Sequence, residues 1–464
     1  MSLVIETFRS SKSPWEIFQA VHTAFQACFF LDSPDPTRPI PSEQVYSYIG
    51  MDPDLEIRLD EKVLRVEGDR SGKYPAGELF PVLKKILARY RVRGRNPAPF
   101  FAGGFVGYFG YEAADLCDKI KFRAKSAPAL PRLYLGLFRN VIVYDHQKRV
   151  YHVVINSTQR AACNAQRRKL KSYFEKEQAE TARYFELKKL TAEMTKRQFK
   201  GMVEKAKEYI AAGDIYQANL SQRFSFGYRG SSLELYGKLR AINPSPFSCF
   251  LKTRDLEIVS SSPERLIRKK GRLCETRPIA GTCPAHGVSK RLAEWRKNLL
   301  QNEKEKAEHL MLVDLERNDL GRVCSYRSVK VEEFMTLEKY SHVVHIVSRI
   351  TGKLKKDKDA LDLIKAMFPG GTITGCPKIR CMQIIDELEP VRRGVYTGSL
   401  GYLDLYGDMD LNIVIRTILL RRGKGHLQVG AGIVYDSDPE KEYEETLHKA
   451  KALTQSLREA GGNK

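Results

Sequence analysis

A 464-residue chain with 42% hydrophobic and 29% charged residues can bury a large core, is too apolar to stay disordered, and has room for two or three domains. No apolar run approaches the roughly 20 residues that cross a bilayer, and Met1 to Pro14 lacks the apolar centre of a signal peptide, so no membrane association and a cytoplasmic location are expected. The net charge of +22 calls for anionic partners, but Lys84 to Arg95, Arg167 to Lys171 and Lys353 to Lys358 read as solvated faces rather than a stripe interleaved with aromatics; this disfavours nucleic acid and suits a small dianionic substrate.

Along the first 155 residues, strand-like runs at Val63 to Val66, Gly103 to Tyr111, Leu133 to Phe138, Val141 to Asp145 and Val150 to Asn156, with a helix at Pro81 to Tyr90, predict an antiparallel sheet with packed helices. Ser157 to Leu190 is polar and lacks strand patterning. It is read as a helical linker closing an N-terminal domain, 1–190, before a C-terminal domain, 191–464. Thr195 is placed as N-cap of a helix carrying Phe199, Met202, Val203, Ala206 and Ile210, which Gly213-Asp214 ends. Strands are expected at Ala218 to Phe226, Ser248 to Leu251, Leu256 to Ser260, Glu264 to Lys269 and Arg272 to Thr276, then at Gly398 to Leu405, Asp410 to Leu420 and Leu427 to Val434. Helices are expected near Arg291 to Asp314 and at Ala360 to Met367. Long helices and antiparallel strands without βαβ alternation give an α+β class. The nine cysteines (28, 117, 163, 249, 274, 283, 324, 376, 381) are odd in number and form no CxxC pair, against a disulfide framework or a cysteine-rich zinc site.

Several residues can carry chemistry. Three glycines in Phe368-Pro369-Gly370-Gly371-Thr372-Ile373-Thr374-Gly375-Cys376-Pro377-Lys378 form a turn able to aim N–H groups at an anion, with Pro377 starting the next helix; a plain structural cap is the commoner role of such a turn taken alone. Glu305 and Glu308 are one helical turn apart, as are Glu442 and Glu445, and such carboxylates suit a hard cation or simply a solvated face. Arg416, in an apolar run, needs an anionic partner. Gly430-Ala431-Gly432, after a strand, is either a donor-exposing turn or a tight bend, and His345 is either an acid/base or a structural histidine.

Six ordered stretches resemble the chorismate-binding family, which includes anthranilate synthase component I, aminodeoxychorismate synthase component I and the isochorismate and salicylate synthases. They are Gly213 to Phe224, Ser262-Pro263-Glu264, Glu275 to Thr282, Glu308 to Asp319, the glycine-rich turn, and Gly430 to Glu445. The resemblance is dense over Thr195 to Leu457. It implies two packed antiparallel sheets with flanking helices, and Mg²⁺ held by Glu308 and Glu445 with Glu305 and Glu442 in support. It also implies Glu264 as general acid, and Arg416, Tyr396, Gly430, Gly432, Thr282 and Lys449 as substrate-binding residues, with His345 near the proton-transfer centre. Gln217 stands where water-adding members carry a lysine base, which implies amination with ammonia from a separate glutamine amidotransferase subunit. Phe29-Phe30-Leu31-Asp32-Ser33 resembles the start of the family's tryptophan pocket, with Asp32 and Ser33 as candidates, or a structural remnant of it.

The regiochemistry is read from two features. Ala280 resembles anthranilate synthase, because many aminodeoxychorismate synthases have a nucleophilic lysine there. The glycine-rich turn and its continuation through Gly394 to Leu400 and Gly407 to Asn412 resemble aminodeoxychorismate synthase, and this longer resemblance carries more weight. The expected product is 4-amino-4-deoxychorismate, for p-aminobenzoate and folate.

Overall fold

Strands form here where alternate residues can be buried: along Leu55–Leu59, residues 55, 57 and 59 are buried while Glu56 and Arg58 are partly exposed. The computed structural model describes residues 2–33, 45–118, 120–123, 130–157, 160–176, 184–284, 303–339 and 343–462. These build two large sheets, of thirteen and twelve strands among the described residues, eleven of each on one continuous path, with antiparallel neighbours throughout.

In the first sheet the order is Ser2–Phe8, Val150–Ser157, Asn140–Asp145, Tyr46–Met51, Cys28–Asp32, Phe247–Lys252, Glu257–Ser262, Thr417–Arg421, Lys424–Ile433, Gln217–Gly230 and Phe185–Leu187. The second runs Ile279–Pro284, Val343–Lys353, Leu273–Thr276, Arg265–Lys270, Met409–Asn412, Ser399–Asp404, Gly104–Phe109, Leu133–Phe138, Leu55–Leu59, Val63–Gly68 and Gly72–Pro75. Strands from both sides of residue 190 lie in both sheets, joined where Cys28–Asp32 pairs with Phe247–Lys252 and Gly104–Phe109 with Ser399–Asp404.

Three main apolar clusters define the layers. Phe29, Val143 and Leu251 of the first sheet meet Tyr108, Phe138 and Leu400 of the second. The outer face of the first sheet is covered by helices Pro14–Val21, Ser232–Ile242 and Pro439–Ala460 through Phe18, Tyr236 and Leu453. Helices Leu79–Tyr90, Glu303–Val323 and Ala360–Met367 cover the second through Leu83, Leu320 and Ile364. The fold is α+β, as the sequence predicts, with two antiparallel sheets packed face to face between helical layers.

Most predicted elements form. Thr195 caps Lys196–Ala211 in a capping box with Gln198, and Pro377 caps Lys378–Leu388. Three readings change. The linker contains the helix Arg160–Ser172, but also a strand, Phe185–Leu187, which pairs with residues 228–230. The helix expected near Arg291 to Asp314 is described from Glu303 and continues to Val323; residues 285–302 lie outside the described residues. Asp410 to Leu420 is not one strand. Met409–Asn412 belongs to the second sheet and Thr417–Arg421 to the first, so the apolar run is a crossing between sheets rather than a strand buried on both faces.

Candidate active site

Two crossings of the chain lie side by side. Glu257–Ser262 leads through Glu264 to Arg265–Lys270, while Met409–Asn412 returns through Arg416 to Thr417–Arg421. Each strand pairs with its counterpart, and the crossings bond to one another: Ile413 N–H donates to Glu264 O at 3.0 Å and Ser261 N–H to Arg416 O at 3.1 Å. Glu264 and Arg416 are thus fixed next to each other from opposite chain directions. Arg416 takes a left-handed φ of 50°, the cost of turning out of one sheet into the other.

Burial dominates the electrostatics. Glu264 is 5% exposed, and desolvation pushes its carboxyl up to about 7, against the pull of the Thr372 hydroxyl, of the Ile279 N–H and of the charges of Lys449 and Arg416. The Thr372 hydroxyl stands beside it, and Glu264 Oε1 is shielded from solvent. Burial also pushes the Arg416 guanidinium below its ordinary value, opposed by neighbouring Glu264.

The first sheet supplies the facing wall. Past Leu427, the strand Lys424–Ile433 has lost its Thr417–Arg421 neighbour and pairs with Gln217–Gly230 alone. Gly430 and Gly432 therefore lie within a strand, not in a turn after one, at a half-open edge. Gln217 Nε2 lies above Gly432 and donates to Glu308 Oε1 at 2.7 Å; a Cβ at Gly432 would sit 2.5 Å from that nitrogen and 3.5 Å from that oxygen. Gly430 is packed beneath the Tyr396 hydroxyl, 2.9 Å from the place of a Cβ. Lys449 Nζ donates to Gly430 O at 3.1 Å and pairs with Glu445 at 2.7 Å.

Gln217, Glu308, Gly432, Gly430, Tyr396, Lys449 and Glu445 thus form one connected constellation, with Glu264 and Arg416 within electrostatic reach of it. His345 is buried and stands opposite Thr282 across the Ile279–Pro284 and Val343–Lys353 pairing. The side chains of Thr282 and Glu305 lie outside the described residues. Glu442 is buried at the start of the C-terminal helix, where Ser437 Oγ donates to it at 2.6 Å.

The glycine-rich turn backs this wall. Gly375, with φ 127°, pairs with Ala218, and a Cβ there would lie 2.1 Å from Gln217 O, so no other residue fits. Lys378 turns inward to an ion pair with Asp319 and donates to Met367 O at 3.1 Å. Beside that pair, Thr276 Oγ lies 2.8 Å from Leu266 O and 3.2 Å from Glu316 Oε2. Burial, with the Asp319 charge next, pushes the Glu316 carboxyl up to about 8, against the pull of Lys378 and of the Thr276 hydroxyl. Sequence reasoning did not assign Thr372, Glu316 or Asn219, whose only signal was membership of the matching stretches.

Two carboxylates on separate helices, Glu308 and Glu445, offer the oxygen donors that Mg²⁺ takes alongside waters and substrate. Among the described residues no cluster of three or more acidic, histidine or cysteine side chains is assembled, so the fit rests on that two-carboxylate donor chemistry. Elsewhere, a cavity of about 330 Å³ between the sheets is lined by Asp32, Tyr46, Phe101, Phe247 and Tyr402. The Asp32 carboxylate accepts from Arg240 Nε at 2.8 Å and Tyr236 OH at 3.2 Å, and the Ser33 N–H donates to Ser47 Oγ at 3.0 Å. These bonds employ both residues inside the protein.

The double-sheet sandwich thus places a buried acid and an arginine on its sheet crossings and two carboxylates, Glu308 and Glu445, on helices. The model of the chorismate binding enzymes matches residues 26–455, and the chain belongs to that family. It is 41% identical over 420 residues to aminodeoxychorismate synthase component 1 of Bacillus subtilis (strain 168), covering 89% of each chain. It is 39% identical over 451 residues to anthranilate synthase component 1 of Methanothermobacter marburgensis, covering 97% of this chain and 94% of the relative. The crystal structure of anthranilate synthase component I from Streptococcus pneumoniae TIGR4 superposes with a TM-score of 0.80 at 34% identity, over 90% of this chain and 95% of that one. No described helix is long and apolar enough to cross a membrane.

Proposed function

We propose that this chain is the ammonia-using component that converts chorismate to 4-amino-4-deoxychorismate, with a glutamine amidotransferase subunit supplying the ammonia and p-aminobenzoate as the downstream product. The observation that carries the reading is Gln217: a neutral amide, not a base, faces Glu308, which suits a nucleophile needing no deprotonation before attack. The Bacillus subtilis relative and the resemblance of the glycine-rich turn and its continuation to aminodeoxychorismate synthase support the para position.

In this reading Glu264, kept protonated by burial, donates its proton to the departing ring hydroxyl. Arg416, Tyr396 and the open strand edge at Gly430 and Gly432 hold the enolpyruvyl carboxylate, with Thr282 and Lys449 completing the anion cradle and His345 near the proton-transfer centre. Glu308 and Glu445, supported by Glu305 and Glu442, would hold Mg²⁺, which when bound supplies Lewis-acid charge at the ring carboxylate. Asp32 and Ser33 pack the N-terminal strands rather than bind tryptophan.

A second reading, anthranilate synthase component I, is favoured by Ala280, which leaves no lysine to attack the ring, and by relatives of that name at similar identity. Chorismate, Mg²⁺ and ammonium, assayed with and without aminodeoxychorismate lyase, separate the two. Lyase-dependent p-aminobenzoate supports the first reading, and direct release of fluorescent anthranilate replaces it with the second.

A further inference from the structure

The strand that carries Gln217 carries a second amide on the same face, Asn219, two residues on. In the pairing with Lys424–Ile433, Asn219 stands opposite Gly432 and Ser221 opposite Gly430. The Gln217 amide lies over Gly432, 2.5 Å from the place of a Cβ. The Asn219 amide lies over Gly430, with Oδ1 2.6 Å from the place of a Cβ. Both side chains thus lean by the same diagonal step over a glycine of the neighbouring strand, and any larger residue at 430 or 432 would displace them.

Their bonding is incomplete in the same way. Gln217 Nε2 is used by Glu308, but Gln217 Oε1 and Asn219 Oδ1 are both shielded from solvent and accept no hydrogen bond from the described residues. Shielded amide carbonyls ordinarily have a donor. Two consecutive ones without a donor, beside the Tyr396 hydroxyl and the half-open strand edge, mark a place shaped for a ligand that brings donors of its own.

We propose that Asn219 contacts the ligand: Asn219 Oδ1 and Gln217 Oε1 form a two-rung acceptor ladder that receives an N–H or O–H donor. Carboxylates bring no such donor. Ammonia and the ring hydroxyl of chorismate do. For ammonia, hydrogen bonds from N–H to the two carbonyls leave the nitrogen lone pair directed away from the ladder and free to attack. This rests on the amination reading above and extends it to a residue that reading does not use.

Asn219→Leu keeps the size and removes the acceptor. With the purified full chain, Mg²⁺, chorismate and ammonium are varied in turn. The KM for ammonium rises roughly 3- to 10-fold if the ladder holds the nucleophile, or the KM for chorismate rises by the same factor if it holds the ring hydroxyl, as expected for the loss of one neutral hydrogen bond. Neither KM moving by more than about twofold in a variant that melts with the wild type overturns the proposal. If Asn219→Leu does not fold, Asn219→Ser is read by the same criteria. A wild-type chain that turns over no chorismate removes the amination reading instead. Calorimetric titration with chorismate then decides: weaker binding by Asn219→Leu upholds the contact, and equal binding overturns it.

Discussion

Gln217 and Glu308 meet at 2.7 Å, tying the strand Gln217–Gly230, next to one end of the first sheet, to the long helix that covers the second. The bond fixes where the Glu308 carboxylate sits before any ligand arrives. It also makes the charge at position 308 and the neutrality at position 217 a matched pair.

Glu308→Gln keeps the shape and removes the charge. Chorismate turnover is expected to fall by roughly 100-fold or more, with little change in the melting transition because Glu308 is only partly buried. Gln217→Lys places an ammonium against that carboxylate, so more Mg²⁺ should be needed for half-maximal rate. Steady-state rates across a Mg²⁺ series read both effects, and near-normal activity of Glu308→Gln removes the metal assignment.

Glu264 gives the pH dependence. With its carboxyl raised from 4.5 to about 7, activity that needs the acid should be full below about 7 and fall above it, and Glu264→Gln should lose that alkaline limb along with most of the rate. The stability it contributes is complete below 4.5 and lost as the pH rises through about 7, because the native state resists ionisation. The gap corresponds to on the order of 3 kcal/mol, so at pH 8.5 Glu264→Gln should unfold at higher urea than the wild type, and at pH 4 the two should converge.

Two glycines should respond differently to the same change. Gly432→Ala presses on the end of a flexible side chain, so Gln217 shifts from Glu308 and activity falls while the fold survives. Gly375→Ala meets backbone at 2.1 Å in a left-handed conformation, so it should cost roughly 2 kcal/mol or more of stability, visible in urea titration.

Arg393 places all five of its N–H groups: two on Glu389, one each on Ile373 O, Asn219 O and the Thr397 hydroxyl. It holds the glycine-rich turn, the ladder strand and the Tyr396 segment together. Arg393→Met leaves Glu389 buried without its guanidinium and should cost about 3–5 kcal/mol, and the double change Arg393→Met with Glu389→Met should cost less than the sum. Additive losses in urea denaturation would show that the two residues act independently.

Local pattern and ordered motifs determined much of this protein. Alternation located most strands, Thr195 as N-cap located a helix start, and the resemblance named the fold, the family and residues the structure brings together, because each depends on neighbours close in the chain. Pairing across distance was not legible. The run from Asp410 to Leu420 has the composition of one buried strand, and only the tertiary structure splits it between two sheets to turn Arg416 toward Glu264. Asn219 looked like any strand residue until Gly430, more than two hundred positions away, was placed beneath it. A sequence records which residues prefer to be buried. Which buried polar atoms lack a partner is decided only when the sheets close, and those atoms are where this structure points to a ligand.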